Sequence, residues 1–159
     1  MIKRRWTAVA AVIVIATCLA GAQEKKASPA RAMVEGSFLA WNAHDADKVV
    51  TFYTSDVTYE DVAFGEKAHG SAELKKMVQG FFDAVPDLKL EAVDVKSYGN
   101  YGSVEWIFSG TDKGLYKTGK KFSVRGASVF QLRGAKCANN RDYYDSAAIM
   151  RQVGVLPKQ

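Results

Sequence analysis

The sequence predicts an α+β fold, with helices laid over one face of a strongly curved antiparallel sheet. Three observations predict it. Amphipathic helical segments dominate the first half of the chain, with one short strand among them. A run of strands with period-two alternation fills the second half from Leu88 onward. A capped helix closes the chain between Asp145 and Gly154.

The first 22 residues read as a targeting segment. Lys3-Arg4-Arg5 is a positive start, and Thr7 to Leu19 is an apolar run too short to span a bilayer well. Ala20-Gly21-Ala22 is a small-residue cleavage pattern, so export with cleavage before Gln23 is expected. Lipidation of Cys18 is the rival and is less favoured, because Thr17 is unusual before such a cysteine. After cleavage Cys137 is the one cysteine left, which excludes an intrachain disulfide and makes neither a metal site nor a nucleophile. Residues 23–30 form a polar, flexible leader, and 31–157 a single domain.

Ala30 to Ala43 is an amphipathic helix with Val34, Phe38 and Trp41 on its apolar stripe. His44-Asp45 ends it, and Asp45 is placed to cap a second helix over Ala46 to Tyr53. Val57 to Asp61 is a strand whose Val57, Tyr59 and Asp61 share a face. Ala63 to Gly70 is expected as a loop. Ser71 starts a third helix with Leu74, Met77, Val78, Phe81 and Phe82 inward, stopped at Pro86-Asp87. Leu88 to Tyr98, Gly102 to Gly110 and Phe122 to Leu132 form a meander. Phe122, Val124, Gly126, Ser128, Phe130 and Leu132 lie on one face of the last of these. RGAKCANN reads as a turn, and Asn140 to Tyr144 as a short strand with Asp142 and Tyr144 on one face. Asp145 caps the terminal helix, and Gly154 and Pro157 stop it.

Composition is that of a globular chain, with 18 aromatic residues to build a core or line a pocket. The formal charge of +5 is mostly the targeting segment: without Lys3, Arg4 and Arg5 the excess of bases over 17 acids is two. With no basic stripe, nucleic acid is rejected as a partner. His44, His69 and the carboxylates are not spaced as ligands, so no metal is expected.

Several stretches carry a family resemblance: Ala40-Trp41-Asn42-Ala43-His44-Asp45, Phe52-Tyr53, Asp56 to Asp61, Gly80-Phe81-Phe82, Pro86-Asp87-Leu88, Gly119 to Gly126 and Arg151-Gln152-Val153-Gly154. The chain resembles the SnoaL-like polyketide cyclases, within the nuclear transport factor 2-like, ketosteroid isomerase-like superfamily. The resemblance implies a cone of curved sheet around an apolar pocket, with three helices and a short C-terminal helix. Tyr59, Asp61, Trp106, Phe108, Ser128, Phe130, Asp142 and Tyr144 should then face that pocket. Asp142 resembles the acid/base Asp of the cyclases, whose usual His partner falls at about Ser128. Asp61 resembles the general base of the ketosteroid isomerases, whose oxyanion-hole positions read Ser37 and Ser128 here. Arg125 belongs to the outer face unless Gly126 bulges the strand.

Two function classes stay open at this point, with a structural or interaction module that uses the outer sheet face as a weaker third. One is an exported acid/base catalyst, without cofactor, for a small polyketide- or steroid-like carbonyl compound. The other is a binding domain for a small apolar molecule. Cone folds of this size commonly pair through the open sheet face, where Ile107 and Val129 lie, so a homodimer is expected.

Overall fold

A computed structural model describes residues 27–157. The targeting segment and residues 23–26 of the leader lie outside the described residues; Pro29 and Ala30, expected in the leader, already belong to the first helix, which Ser28 caps. The elements run α1 (Pro29–Asn42), α2 (Ala46–Val50), β1 (Tyr53–Asp61), β2 (Glu66–His69), α3 (Gly70–Ala84), β3 (Lys89–Tyr98), β4 (Tyr101–Thr111), β5 (Lys121–Arg133), β6 (Lys136–Tyr144) and α4 (Ser146–Val153). The six strands form one open, curved sheet in the order β2-β1-β6-β5-β4-β3.

The alternation along β5 becomes the inner face of the sheet. Phe122, Val124, Ser128, Phe130 and Leu132 are buried, and Arg125 and Val129 point out. Leu74, Val78 and Phe82 of α3 and Met33, Val34 and Trp41 of α1 cover that face. Caps fall where short polar side chains can reach free N–H groups. Asp45 accepts from Lys48 N at 2.8 Å, and Asp145 accepts from Ala148 N at 2.9 Å. Gly154 closes α4 in the left-handed conformation, φ 83°.

The expected antiparallel sheet is present with one exception: β1 pairs with β6 in parallel. Four features also differ from the sequence reading. α2 stops at Val50 and Tyr53 already belongs to β1; the Phe52 carbonyl accepts from Cys137 N at 2.9 Å, a sheet-type partner that ends helical bonding. The expected loop before α3 contains β2, which pairs with β1 through Thr58↔His69 to Asp61↔Glu66. It is four residues long and buries only Ala68, too little alternation to read in sequence. β6 begins at Lys136, so the turn after β5 is only Gly134-Ala135, with Gly134 at φ 65°. α3 begins at Gly70, with His69 and not Ser71 at its N-cap; no side chain caps its first-turn N–H groups, and Glu73 accepts from His69 N at 2.8 Å.

The connection from β4 to β5 is built on Asp112, which is fully buried. Its carboxylate accepts from the N–H groups of Tyr116, Lys117 and Thr118 and from the Thr118 hydroxyl. Burial pushes this carboxyl up, but those donors outweigh it and hold it below the usual carboxylate range.

Strand β5 does not bulge at Gly126. The β4·β5 register runs unbroken from Tyr101↔Gln131 to Thr111↔Lys121, and the irregularity in β5 lies between Gln131 and Leu132, against β6. Arg125 therefore stays outside. Gly126 faces the Trp106 indole so closely that a Cβ there would lie 2.2 Å from a ring carbon. Gly126→Ala should displace the indole and destabilise the fold by about 1–3 kcal/mol. Denaturant unfolding followed by tryptophan fluorescence measures it; an unchanged midpoint would show that the ring moves freely.

Candidate functional site

The inner faces of β1 and β6 bring two carboxylates and two phenols together because their parallel register sets like positions side by side. Tyr59 lies opposite Asn140, and Asp61 opposite Asp142. Period two keeps Tyr59 and Asp61 on the same face of β1, and Asn140, Asp142 and Tyr144 on the same face of β6. β5 then places Ser128 opposite Asp142, and β4 places Trp106 opposite Gly126.

These side chains line one cavity between the sheet, α1 and α3. All eight residues expected at a pocket reach it: Tyr59, Asp61, Trp106, Phe108, Ser128, Phe130, Asp142 and Tyr144. Met33, Val34, Phe38 and Trp41 supply the α1 wall, and Phe81 that of α3. Among the described residues no Lys, Arg or His lines it.

The two carboxylates are held by different donors. Asp142 Oδ1 accepts from Ser128 Oγ at 2.6 Å and from Asn140 Nδ2 at 2.7 Å. Asp142 Oδ2 accepts from the Tyr59 hydroxyl. Ser128 is itself oriented, because the Trp106 indole N–H donates to its Oγ at 2.8 Å and leaves the hydroxyl proton for Asp142. Asp61 Oδ1 accepts from Phe64 N at 3.0 Å, and Oδ2 from the Tyr144 hydroxyl at 2.8 Å. The two tyrosines thus donate crosswise, each from one strand to the carboxylate of the other.

Burial pushes the Asp142 carboxyl up to about 6 against the opposing pull of Ser128, Tyr59 and Asn140, and the charge of Asp61 adds to the rise. Burial also raises Asp61, against its bonds from Phe64 N and Tyr144. Tyr59 and Tyr144 are both pushed far up, first by burial and then by the neighbouring carboxylates, so they remain protonated donors.

The other titratable candidates lie elsewhere. His44 Nε2 lies 3.0 Å from the Leu88 carbonyl oxygen and its ring stacks on Phe82, a satisfied position at the end of α1. His69 is exposed at the start of α3. Cys137 is fully buried on β6, where burial pushes its thiol up to about 12 and keeps it unreactive. Among the described residues no group of three or more His, Cys, Asp or Glu could hold a metal ion. Ser37 does line the cavity, but its hydroxyl donates to the Val34 carbonyl within α1 at 3.1 Å.

Sequence reasoning missed Asn140 as a cavity residue. The signal was there, since Asn140 precedes Asp142 by two on the same strand. An asparagine beside a presumed turn was read as turn chemistry instead.

Known proteins match this architecture. A hypothetical protein of ketosteroid isomerase-like fold from Catenulispora acidiphila DSM 44928, solved in complex with trimethylamine, superposes with a TM-score of 0.72 at 21% identity, covering 77% of this chain and 92% of that one. A putative SnoaL-like polyketide cyclase from Jannaschia sp. CCS1 superposes with a TM-score of 0.71 at 16% identity, covering 81% of this chain and 94% of that one. At such identities these likenesses establish the fold. The cyclase aurE of Calcarisporium arbuscula is 30% identical over 104 residues, 64% of this chain and 76% of its own length. The family model of the SnoaL-like polyketide cyclases matches residues 32–153, nearly the whole described domain, and the chain belongs to that family.

Proposed function

We propose that this protein is an acid/base catalyst of the cyclase or isomerase type, acting on a small apolar carbonyl compound. The observation that carries the reading is Asp142. It is a half-buried carboxylate at the wall of an aromatic cavity, fixed by three side-chain donors, with its carboxyl raised to about 6. A group so placed can take a proton from a carbon beside a carbonyl and return it. Its donors hold the carboxylate in one orientation, so little reorganisation is needed when the substrate arrives. The cavity walls would suit a small apolar molecule in a binding domain equally well. A passive apolar binder, however, has no need of two desolvated carboxylates with no countercharge among the described residues that line the cavity.

Asp142→Asn keeps the shape of the side chain and removes its proton chemistry. Turnover of a carbonyl substrate should fall about 10²–10⁴-fold with little change in ligand affinity. Unchanged turnover would remove Asp142 from the mechanism, and ligand binding with no turnover in either form would favour the binding domain. Asp142 must be ionised to act as a base. Because its carboxyl is raised to about 6 in the free protein, kcat/KM should fall as pH drops through that value. A pH–rate profile flat between 5 and 8 would contradict this assignment (roughly the span over which such a group titrates).

Export and pairing are part of the same proposal. The N-terminal pattern supports cleavage before Gln23. On the outer sheet face Val129 and Tyr143 are exposed, an apolar surface that supports a homodimer. Native mass spectrometry of protein recovered outside the cytoplasm should show a dimer of chains beginning at Gln23. A monomer, or chains retaining Met1 or an acylated Cys18, would refute the corresponding part.

A further inference from the structure

The two carboxylate–tyrosine pairs are not equivalent. In the pair on Asp142 the carboxylate residue is half-buried and its tyrosine, Tyr59, is 6% exposed. In the pair on Asp61 the order reverses: Asp61 is 2% exposed and Tyr144 is the half-buried member. A molecule in the cavity therefore meets Asp142 itself but meets Asp61 through Tyr144. The Tyr144 ring is held edge-on against Trp106, Phe108 and Phe64, with centroids 5.6, 6.3 and 5.9 Å away, so its hydroxyl has a defined position.

Resting on the acid/base reading above, we propose that Tyr144, backed by a neutral Asp61, donates a hydrogen bond to the substrate's carbonyl oxygen while Asp142 takes the proton from the adjacent carbon. Tyr144 is then a catalytic residue and Asp61 a positioning residue. The proposal supplies the donor that Ser37 and Ser128 do not, since one hydroxyl is turned into α1 and the other is committed to Asp142.

The hydrogen count requires a neutral Asp61. A phenol has one hydrogen. In the structure it goes to Asp61 Oδ2. To donate to a substrate oxygen, Tyr144 must turn that hydrogen away, and Asp61 must then present a proton of its own to the phenol oxygen. Asp61 lies beside Asp142 in the β1·β6 register. The two carboxylates share one charge, because the charge of Asp61 raises Asp142 and no cation among the described residues lines the cavity. When Tyr144 turns its hydrogen away, Asp61 loses the donor that favours its charge, so the proton passes to Asp61 and the charge to Asp142. Burial acts in the same direction, against the Phe64 N–H.

In the step itself the C–H bond breaks and its proton forms an O–H bond on Asp142. The C–H electron pair becomes the enolate, whose oxygen accepts from Tyr144. No proton leaves Tyr144 or Asp61, and the reverse transfer from Asp142 to carbon restores the enzyme.

The probe is 2-tetralone, an aromatic ketone whose α-hydrogen exchange with deuterated water is read by NMR, using the full chain with thermal melts as a check on folding. Tyr144→Phe should lower catalysed exchange by about 10²-fold, the usual cost of losing one such donor. Asp61→Asn should stay near wild type, because an amide N–H can donate to the phenol oxygen as a neutral carboxyl does. Asp61→Ala should fall with Tyr144→Phe, and Tyr144→Phe combined with Asp61→Ala should be no worse than Tyr144→Phe alone. Binding of 2-naphthol, which mimics the enol, should weaken in Tyr144→Phe. An Asp61→Asn variant as impaired as Asp61→Ala would overturn the proposal, as would undiminished exchange in Tyr144→Phe. Wild-type protein that neither exchanges 2-tetralone nor binds 2-naphthol would overturn it too. Full exchange in Asp142→Asn would sink the acid/base reading itself. Loss with Asp142→Asn but not with Tyr144→Phe would sink only the present inference.

Discussion

The site depends on the parallel pairing of β1 with β6. In that register Asp61 stands beside Asp142, and each strand sends a tyrosine across to the other's carboxylate. A slip of one residue would turn every one of these side chains to the opposite face. The register is held from both ends. The two-residue turn at Gly134-Ala135 sets where β6 starts against β5, and the Val62 N–H donates to the Asp142 carbonyl at 3.0 Å just beyond the end of β1. An irregularity between Tyr53 and Thr58 absorbs the mismatch before the site is reached. β2 then pairs on the far side of β1, so the strand that carries Asp61 is not a sheet edge.

Three aspartates show how local donors decide what burial alone would not. Asp112 is fully buried and yet acidic, because three backbone N–H groups and a hydroxyl converge on it. Asp142 has three side-chain donors, but desolvation and the adjacent Asp61 outweigh them, and its carboxyl rises to about 6. Asp61 has a backbone N–H and a phenol, and burial still wins. The first is a structural residue that organises a connection. In the other two burial raises the carboxyl, to about 6 in Asp142. Seven surface ion pairs, such as Arg133–Asp56 and Arg141–Glu60, stand among the described residues; as partly to largely exposed pairs they contribute little to stability and play no part in this contrast.

Much of the fold was legible because the strands from Leu88 to Leu132 are long and alternate strictly, and the helices carry wide apolar stripes. β5 shows this best: every inner position read from period two is inner in the structure. The eight cavity residues were legible for the same reason, given the family resemblance. The failures have a common cause. β2 and the first half of β6 are short or carry asparagine and lysine, so they lack the periodicity that marks a strand. What makes them strands is a partner: β1 supplies it for β2, and β5 with Phe52 for β6.

The sequence by itself determined the class of fold, the caps at Asp45, Asp145 and Gly154, and the face of each long strand that meets the core. These follow from local propensity and periodicity, which a single segment carries. Only the tertiary structure decided that β1 and β6 run parallel, that Asp61 and Asp142 are neighbours, and that Tyr144 is half-buried where Tyr59 is buried. Those facts belong to pairs of segments about 80 residues apart (Tyr59 and Asp142 are separated by 83). Nothing within either strand encodes its partner's direction or register; long-range packing of the whole sheet selects them.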